Sequence, residues 1–211
     1  MTRLLVLGTR TLAVEIADVA ADAGFDVVGF VENLERERCS EPLEGLPVHW
    51  VEDVAVLAAD HVAVCGLATV GRSAYVAQVE ALGLRFATVV HPTAHVSPRS
   101  TIGSGSFVGA GAVIGACTTI GRHVLVNRGV LIGHHTTVGD FATIQPGANV
   151  AGMCTLEERC FVGMGAVVID RCSVGREAIV GAGAVVVRDV PPNVQVLGVP
   201  AREVAHGVSG R

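Results

Sequence analysis

From Val96 to Val186 an aliphatic residue recurs at every sixth position, running Val96, Ile102, Val108, Ile114 and onward through Val174, Val180 and Val186, which makes sixteen hexads without interruption. Glycine usually comes next, as at Gly103, Gly109, Gly115, Gly121, Gly133, Gly139, Gly163, Gly175 and Gly181. The fifth place is small or β-branched, as at Ser106, Ala112, Thr118, Thr136, Ala142, Cys160 and Ala178. No helix repeats at six. This pattern predicts a parallel β-helix in which each hexad forms one side of a triangular coil, aliphatic side chains fill the axis and glycines permit the corners. Sixteen hexads are about 5.3 coils of 18 residues, a prism ~25 Å tall at ~4.8 Å per coil.

The first 90 residues follow a different rule. Short aliphatic runs at Arg3–Leu7 and Asp26–Val31 flank a helical pattern opening at Thr11 and closing at Gly24, read as its N-cap and C-cap. A second such unit runs from His61–Leu67 through a helix at Arg72–Leu82 to Phe86–Val90. Strands alternating with helices predict a small Rossmann-like parallel sheet whose ligand would sit at the carboxyl ends of the strands. The predicted organisation is therefore an α/β domain over 1–90, an all-β helical domain over 91–190 and a tail over 191–211. Gly8-Thr9-Arg10-Thr11-Leu12-Ala13 keeps only the first glycine of G-x-G-x-x-G, which argues against dinucleotide binding.

Composition narrows the chemistry. All 15 basic residues among the 211 are arginine, so Schiff-base, Walker-lysine and pyridoxal phosphate chemistry are excluded. Residues 1–90 carry 6 Arg against 13 acids and residues 91–211 carry 9 against 7, neither of which makes the concentrated basic face that nucleic acid requires. No apolar run approaches the ~18 residues of a membrane span, and the four-residue run Leu4–Leu7 before Gly8 is too short for a signal peptide, so a cytoplasmic location is expected. The six cysteines show neither CxxC nor CxxxC spacing; Cys154 and Cys172, 18 apart, are expected to stack as core thiols.

Histidine is the informative residue type in the repeat. His123, His134 and His135 occupy third and fourth hexad places, expected to point outward at corners. One coil after His134 comes Gly152. A histidine able to take a proton, beside a glycine whose N–H can face an oxyanion, suits acyl transfer from a thioester; a solvent-facing polar corner fits the same residues. Metal is disfavoured, because no two histidines of the repeat are separated by 18 or 36 residues.

The whole chain resembles bacterial sugar acetyltransferases of the sialic acid O-acetyltransferase (NeuD), PglD and perosamine N-acetyltransferase type, within the hexapeptide acyltransferase superfamily. The resemblance is carried by His91-Pro92-Thr93-Ala94, Val126-Asn127, Ile132-Gly133-His134-His135, Val138-Gly139-Asp140-Phe141, Pro146-Gly147-Ala148 and Gly198-Val199-Pro200-Ala201-Arg202. It implies a left-handed β-helix, a homotrimer and acetyl-CoA as co-substrate, with no metal. It also implies His134 as general base and Gly152 N–H as oxyanion donor, with His135 alongside. Gly152, Gly181, Ala182, Ala184, Pro200 and Arg202 would flank the CoA. Asn127 would lie near the sugar, and Gly8, Thr9, Arg10, Glu32 and Asn33 would receive a nucleotide-linked sugar.

Three positions depart from that pattern. The acid that usually follows the family's histidine is replaced by His135, the residue after the asparagine is Arg128 in place of Thr, and the glycine-rich turn and its acidic pair read Gly8-Thr9-Arg10-Thr11 and Glu32-Asn33. Arg10 either pairs with a diphosphate or obstructs the turn. The implied activity is acetyl-CoA-dependent acetylation of an amino sugar, the alternatives being sugar O-acetylation or a non-catalytic trimeric scaffold.

Overall fold

The computed structural model describes residues 1–69 and 71–210, which divide into two compact units, Met1–Pro92 and Thr93–Arg211. In the first unit β1 (Arg3–Leu7), β2 (Asp26–Glu32), β3 (Val48–Trp50), β4 (His61–Cys65) and β5 (Arg85–Phe86) form a parallel sheet in the order β3-β2-β1-β4-β5. Helices α1 (Thr11–Asp22) and α2 (Arg72–Ala81) follow β1 and β4. Leu4 to Leu7, Phe30, Val31, Ala63 and Val64 are wholly buried, as expected of strands covered on both faces. Strand order reverses between β1 and β4, and that reversal opens a crevice at their carboxyl ends.

Two readings of this unit need correction. Thr11 is the first helical residue and Arg10 the N-cap, with no side-chain cap bond, while Ala23 is the C-cap and Gly24 follows it at φ +86°. The first turn of α1 is closed by the backbone alone, Ala13 N and Val14 N donating to Arg10 O at 2.9 and 3.4 Å, while the Thr9 hydroxyl is engaged by Glu32. Strand β3 was not predicted; its Val-His-Trp sequence carries one aliphatic residue and too short an alternation to register.

In the second unit, two-residue strands pair in parallel with strands exactly one coil away, as Val113 with Leu131 and Thr119 with Thr137. Ile114, Val126, Ile144, Val162 and Val180 fill the axis at 0% exposure. The fifth-place hydroxyls tie the coils together: Ser106 Oγ donates to Gly121 O at 2.8 Å and accepts from Val124 N at 2.9 Å. Thr118 and Thr136 donate likewise to Gly133 O and Ala151 O, and in Cys154 a thiol takes the same place, reaching Ile169 O at 3.2 Å. Cys154 and Cys172 are buried free thiols, both pushed up by burial. The tail is a hairpin, Val194–Leu197 with Arg202–His206, whose first strand pairs with Ile179–Val180.

The corner glycines have a different role from the one predicted. From Gly105 to Gly183 every sixth residue is left-handed, with φ between 54° and 75°, and this fourth place often carries a side chain, as in Cys117, His135, Phe141 and Met153. The second-place glycines are needed for close stacking: a Cβ on Gly139 would lie 2.5 Å from Glu158 N and one on Gly133 2.5 Å from Ala151 C. Gly139→Ala therefore forces backbone apart and is expected to cost at least ~2 kcal/mol, within the overpacking range. Gly129→Ala, left-handed with open space beyond it, should cost only the ~1 kcal/mol of conformational strain. Urea unfolding of the two variants checks the order; equal losses would contradict it.

The three faces of the coil differ outward. Thr101, Thr119, Thr137 and Thr155 make an exposed ladder on one face, and Phe107, Leu125, Phe161 and Ile179 are buried on the second. On the third, Val113 and Leu131 stand 38% and 42% exposed, in column with half-buried Val167 and Val185.

Candidate active site

His134 and His135 form one corner turn between Leu131–Ile132 and Thr137–Val138, with Gly152-Met153 one coil above, where Met153 N donates to His134 O at 2.8 Å. The His134 ring leans over the glycine: a Cβ on Gly152 would lie 2.8 Å from His134 Cε1 and 2.9 Å from Nε2. Only glycine leaves room for it. Among the described residues Gly152 N–H meets no acceptor. Both rings are exposed, stand edge to face at 84°, and approach to 3.1 Å between their Nδ1 atoms. The His134 ring and Gly152 thus lie against each other on one edge of the coil, an imidazole and a backbone amide that meets no acceptor among the described residues.

His123 does not share that exposure. Its ring is 2% exposed, lying against Gly105 and stacked on Phe141 at 5.0 Å and 11° between planes. The outward reading fails because a left-handed corner side chain lies along the column when the residue beneath is glycine and the one above is aromatic.

Asn127 and the Gly181, Ala182 and Ala184 group lie on the preceding edge, across the face that carries Val113 and Leu131. Asn127 is buried and its Nδ2 donates to Ile144 O at 3.3 Å. Ala182 is exposed, Gly181 lies under the Leu197 side chain, and Pro200 and exposed Arg202 follow in the hairpin. Six residues separate Arg128 from His134 along the coil, roughly 20 Å of extended chain, so one chain alone keeps these groups apart.

In the first unit Gly8, Thr9, Arg10, Glu32 and Asn33 line one cavity of about 250 Å³ at the strand-order reversal. Leu12, Leu34, Leu67, Thr69 and Tyr75 are among the other residues that line it; the loop after β4 was missed because only strand order, not sequence, places it there. Gly8 is left-handed at φ +102° and a Cβ would strike Leu67 Cδ1 at 2.7 Å. Tyr75 is buried and its hydroxyl donates to Val31 O at 2.7 Å. Arg10 Nη2 meets Glu35 Oε1 at 2.7 Å, and Asn33 Nδ2 donates to Gln78 at 3.3 Å.

Glu32 is already engaged. Its Oε1 accepts the amides of Leu34, Asn33 and Glu35 at 2.8, 2.9 and 3.3 Å, and the Thr9 hydroxyl donates to Oε2. Burial raises its carboxyl, but the Thr9 hydroxyl and those three amides outweigh it and hold the group below the ordinary 4.5. A depressed folded-state value contributes stability above the ordinary range that is lost as pH falls through it. Wild type is expected to lose stability below about pH 4.5 faster than Glu32→Gln, and parallel acid titrations of the two would contradict this.

Among the described residues no cluster of His, Cys, Asp and Glu is arranged to hold a metal, and no helix is long and apolar enough to cross a membrane.

The bacterial transferase hexapeptide (six repeats) family matches residues 153–188. No curated protein matches the chain by sequence. Among solved structures, a histidine-to-asparagine variant of perosamine N-acetyltransferase from Caulobacter crescentus, with CoA and GDP-perosamine, is 27% identical over 96% of both chains at a TM-score of 0.89. The acetyltransferase domain of PglB from Neisseria gonorrhoeae with acetyl coenzyme A is 28% identical, covering 96% of this chain and 99% of that one, also at 0.89. WeeI from Acinetobacter baumannii is 27% identical over 96% and 100%, at 0.87. The repeat and these likenesses agree: the chain is an acyltransferase that carries hexapeptide repeats, similar over nearly all its length to bacterial sugar acetyltransferases.

Proposed function

We propose that this chain transfers the acetyl group of acetyl-CoA to the amine of a nucleotide-linked amino sugar. The observation that carries the reading is the seat of His134 against Gly152, with Nε2 beside an amide that meets no acceptor. His134 Nε2 takes a proton from the acceptor amine as its nitrogen attacks the thioester carbonyl. The Gly152 N–H stabilises the oxyanion; the C–S bond then breaks, and the proton passes to the departing CoA thiolate.

The cavity of the first unit receives the nucleotide, with the uncapped amides of α1 and the Arg10 guanidinium set for a diphosphate. Arg10 gives up Glu35 to do so. Relatives solved with CoA and GDP-perosamine support this assignment of ligands by class. The coil is left-handed and the chain a homotrimer, so that the edge bearing Asn127, Gly181, Ala182 and Ala184 in one copy meets the edge bearing His134, His135 and Gly152 in the next. The apolar Val113 and Leu131 column lies between those edges and is the surface two copies cover. Acetyl-CoA lies in the groove so formed, with Arg202 toward its phosphates.

The test is product analysis by mass spectrometry after incubation with acetyl-CoA and GDP- or UDP-linked 4-amino-4,6-dideoxy sugars. One added acetyl group on the sugar nitrogen is expected. Acetylation of a sialic acid hydroxyl alone would replace the reading with O-transfer, and acetyl-CoA binding absent altogether would favour a scaffold.

A further inference from the structure

His134 cannot act through Nε2 unless that nitrogen is unprotonated in the neutral ring, which puts the proton on Nδ1. A neutral imidazole carries its proton on either nitrogen, and the hydrogen bond made by one ring nitrogen decides which. His134 Nδ1 lies 3.1 Å from His135 Nδ1, within hydrogen-bond range, with the rings edge to face. One of these two nitrogens must donate and the other accept.

We propose that His135 is a positioning residue that accepts the Nδ1–H of His134 and so selects the tautomer whose Nε2 serves as base beside Gly152. This rests on the acetyl-transfer reading of the site. The direction of the bond follows from that reading: Cε1 and Nε2 of His134 lie nearest the Gly152 side, with Nδ1 a little farther, so a base acting from Nε2 leaves Nδ1–H to be donated. His135, in the left-handed corner at φ 55°, makes no other side-chain hydrogen bond among the described residues. When His134 becomes an imidazolium during transfer, the same bond is kept, now charge-assisted.

Nothing else nearby competes for the role. On the adjoining corners the titratable groups are Cys117 one coil below, the buried Cys154 beside Met153 above, and Asp170, Arg171 and the buried Cys172 beyond it, Asp170 and Arg171 lying 3.8 Å from each other. No hydrogen bond or ion pair joins any of them to either ring. A neutral acceptor at this place orients the base through the hydrogen bond alone.

The test uses the full chain labelled with ¹⁵N, examined by long-range ¹H–¹⁵N correlation about two pH units above the ordinary histidine range. The expected result is His134 protonated on Nδ1 and His135 on Nε2, with His134 becoming a mixture of tautomers in His135→Phe. The corner accepts that substitution, since Phe141 holds the same left-handed place at φ 59°. His134 protonated on Nε2 in the wild type, or unchanged in the variant, overturns the proposal.

Kinetics give an independent reading. His135→Phe should lower kcat by about 10- to 100-fold with KM for both substrates little changed. His135→Asp, an acceptor without a proton to give, should recover kcat. Full activity in His135→Phe overturns the positioning role and leaves His134 as base. Loss of acetyl transfer to every sugar overturns the function, and the tautomer measurement still decides the hydrogen bond.

Discussion

His134→Ala is expected to lower kcat by about 10²- to 10⁴-fold, the usual worth of a positioned general base, while the melting temperature and the assembly stay as in wild type. Stability is spared because the ring is exposed and stands outside the axis. The backbone N–H and C=O of the corner keep their bonds to neighbouring coils, as in Met153 N to His134 O. The amide of Gly152 also survives, so residual transfer should persist, in the way a site keeps oxyanion stabilisation when its base is removed. Thiol-release kinetics beside a thermal melt measure both halves. An alanine variant with wild-type turnover would remove His134 from the mechanism, and a large fall in melting temperature would mean that the loss reports folding instead.

The second large effect is expected on a residue that touches no substrate. Leu131→Glu places a charge on the coil face where Leu131 and Val113 stand out as exposed apolar side chains. If two copies cover this face, burying an unpaired carboxylate there costs several kcal/mol per subunit. The copies should separate, and turnover should fall to background with them, because Asn127 and the Gly181 edge lie across the face from His134. A matched substitution on the solvent ladder, Thr137→Glu, should leave mass and rate unchanged. Light scattering after size exclusion decides it: an active single-chain Leu131→Glu would show that one chain holds a complete site.

The coil was legible because its period is six. An uninterrupted aliphatic residue at that spacing fits no helix, and its 18-residue consequence, stacking in register, places Gly152 over His134 without coordinates. The first sheet was readable from alternating strand and helix patterns, except β3, whose single aliphatic residue gives no period. What the sequence hid was conformational. The left-handed fourth place is filled by His, Phe, Met, Arg and Glu as readily as by Gly, so the residue type does not announce the dihedral, and the second-place glycines looked like the corners. His123 looked like His134 for the same reason; the glycine beneath it and Phe141 above lay its ring along the column.

The unlikeness of the three faces was present as an 18-residue period, Thr101, Thr119, Thr137 and Thr155 against Val113 and Leu131, and a search at that longer spacing finds it. The engagement of Glu32 was not readable at all. It depends on a loop that folds three amides back onto one carboxylate oxygen, and linear spacing carries no sign of that. The Nδ1 contact between His134 and His135 is likewise a matter of side-chain torsion, which adjacency in sequence leaves open.

The most direct measurement of the central claim is CoA release from acetyl-CoA by the full chain, with GDP- and UDP-linked 4-amino-4,6-dideoxy sugars, sialic acid and serine offered in turn. The account predicts release with a nucleotide-linked amino sugar, at a rate that His134→Ala lowers by about 10²- to 10⁴-fold. Release with none of the nucleotide-linked amino sugars, or an equal rate in His134→Ala, would contradict it.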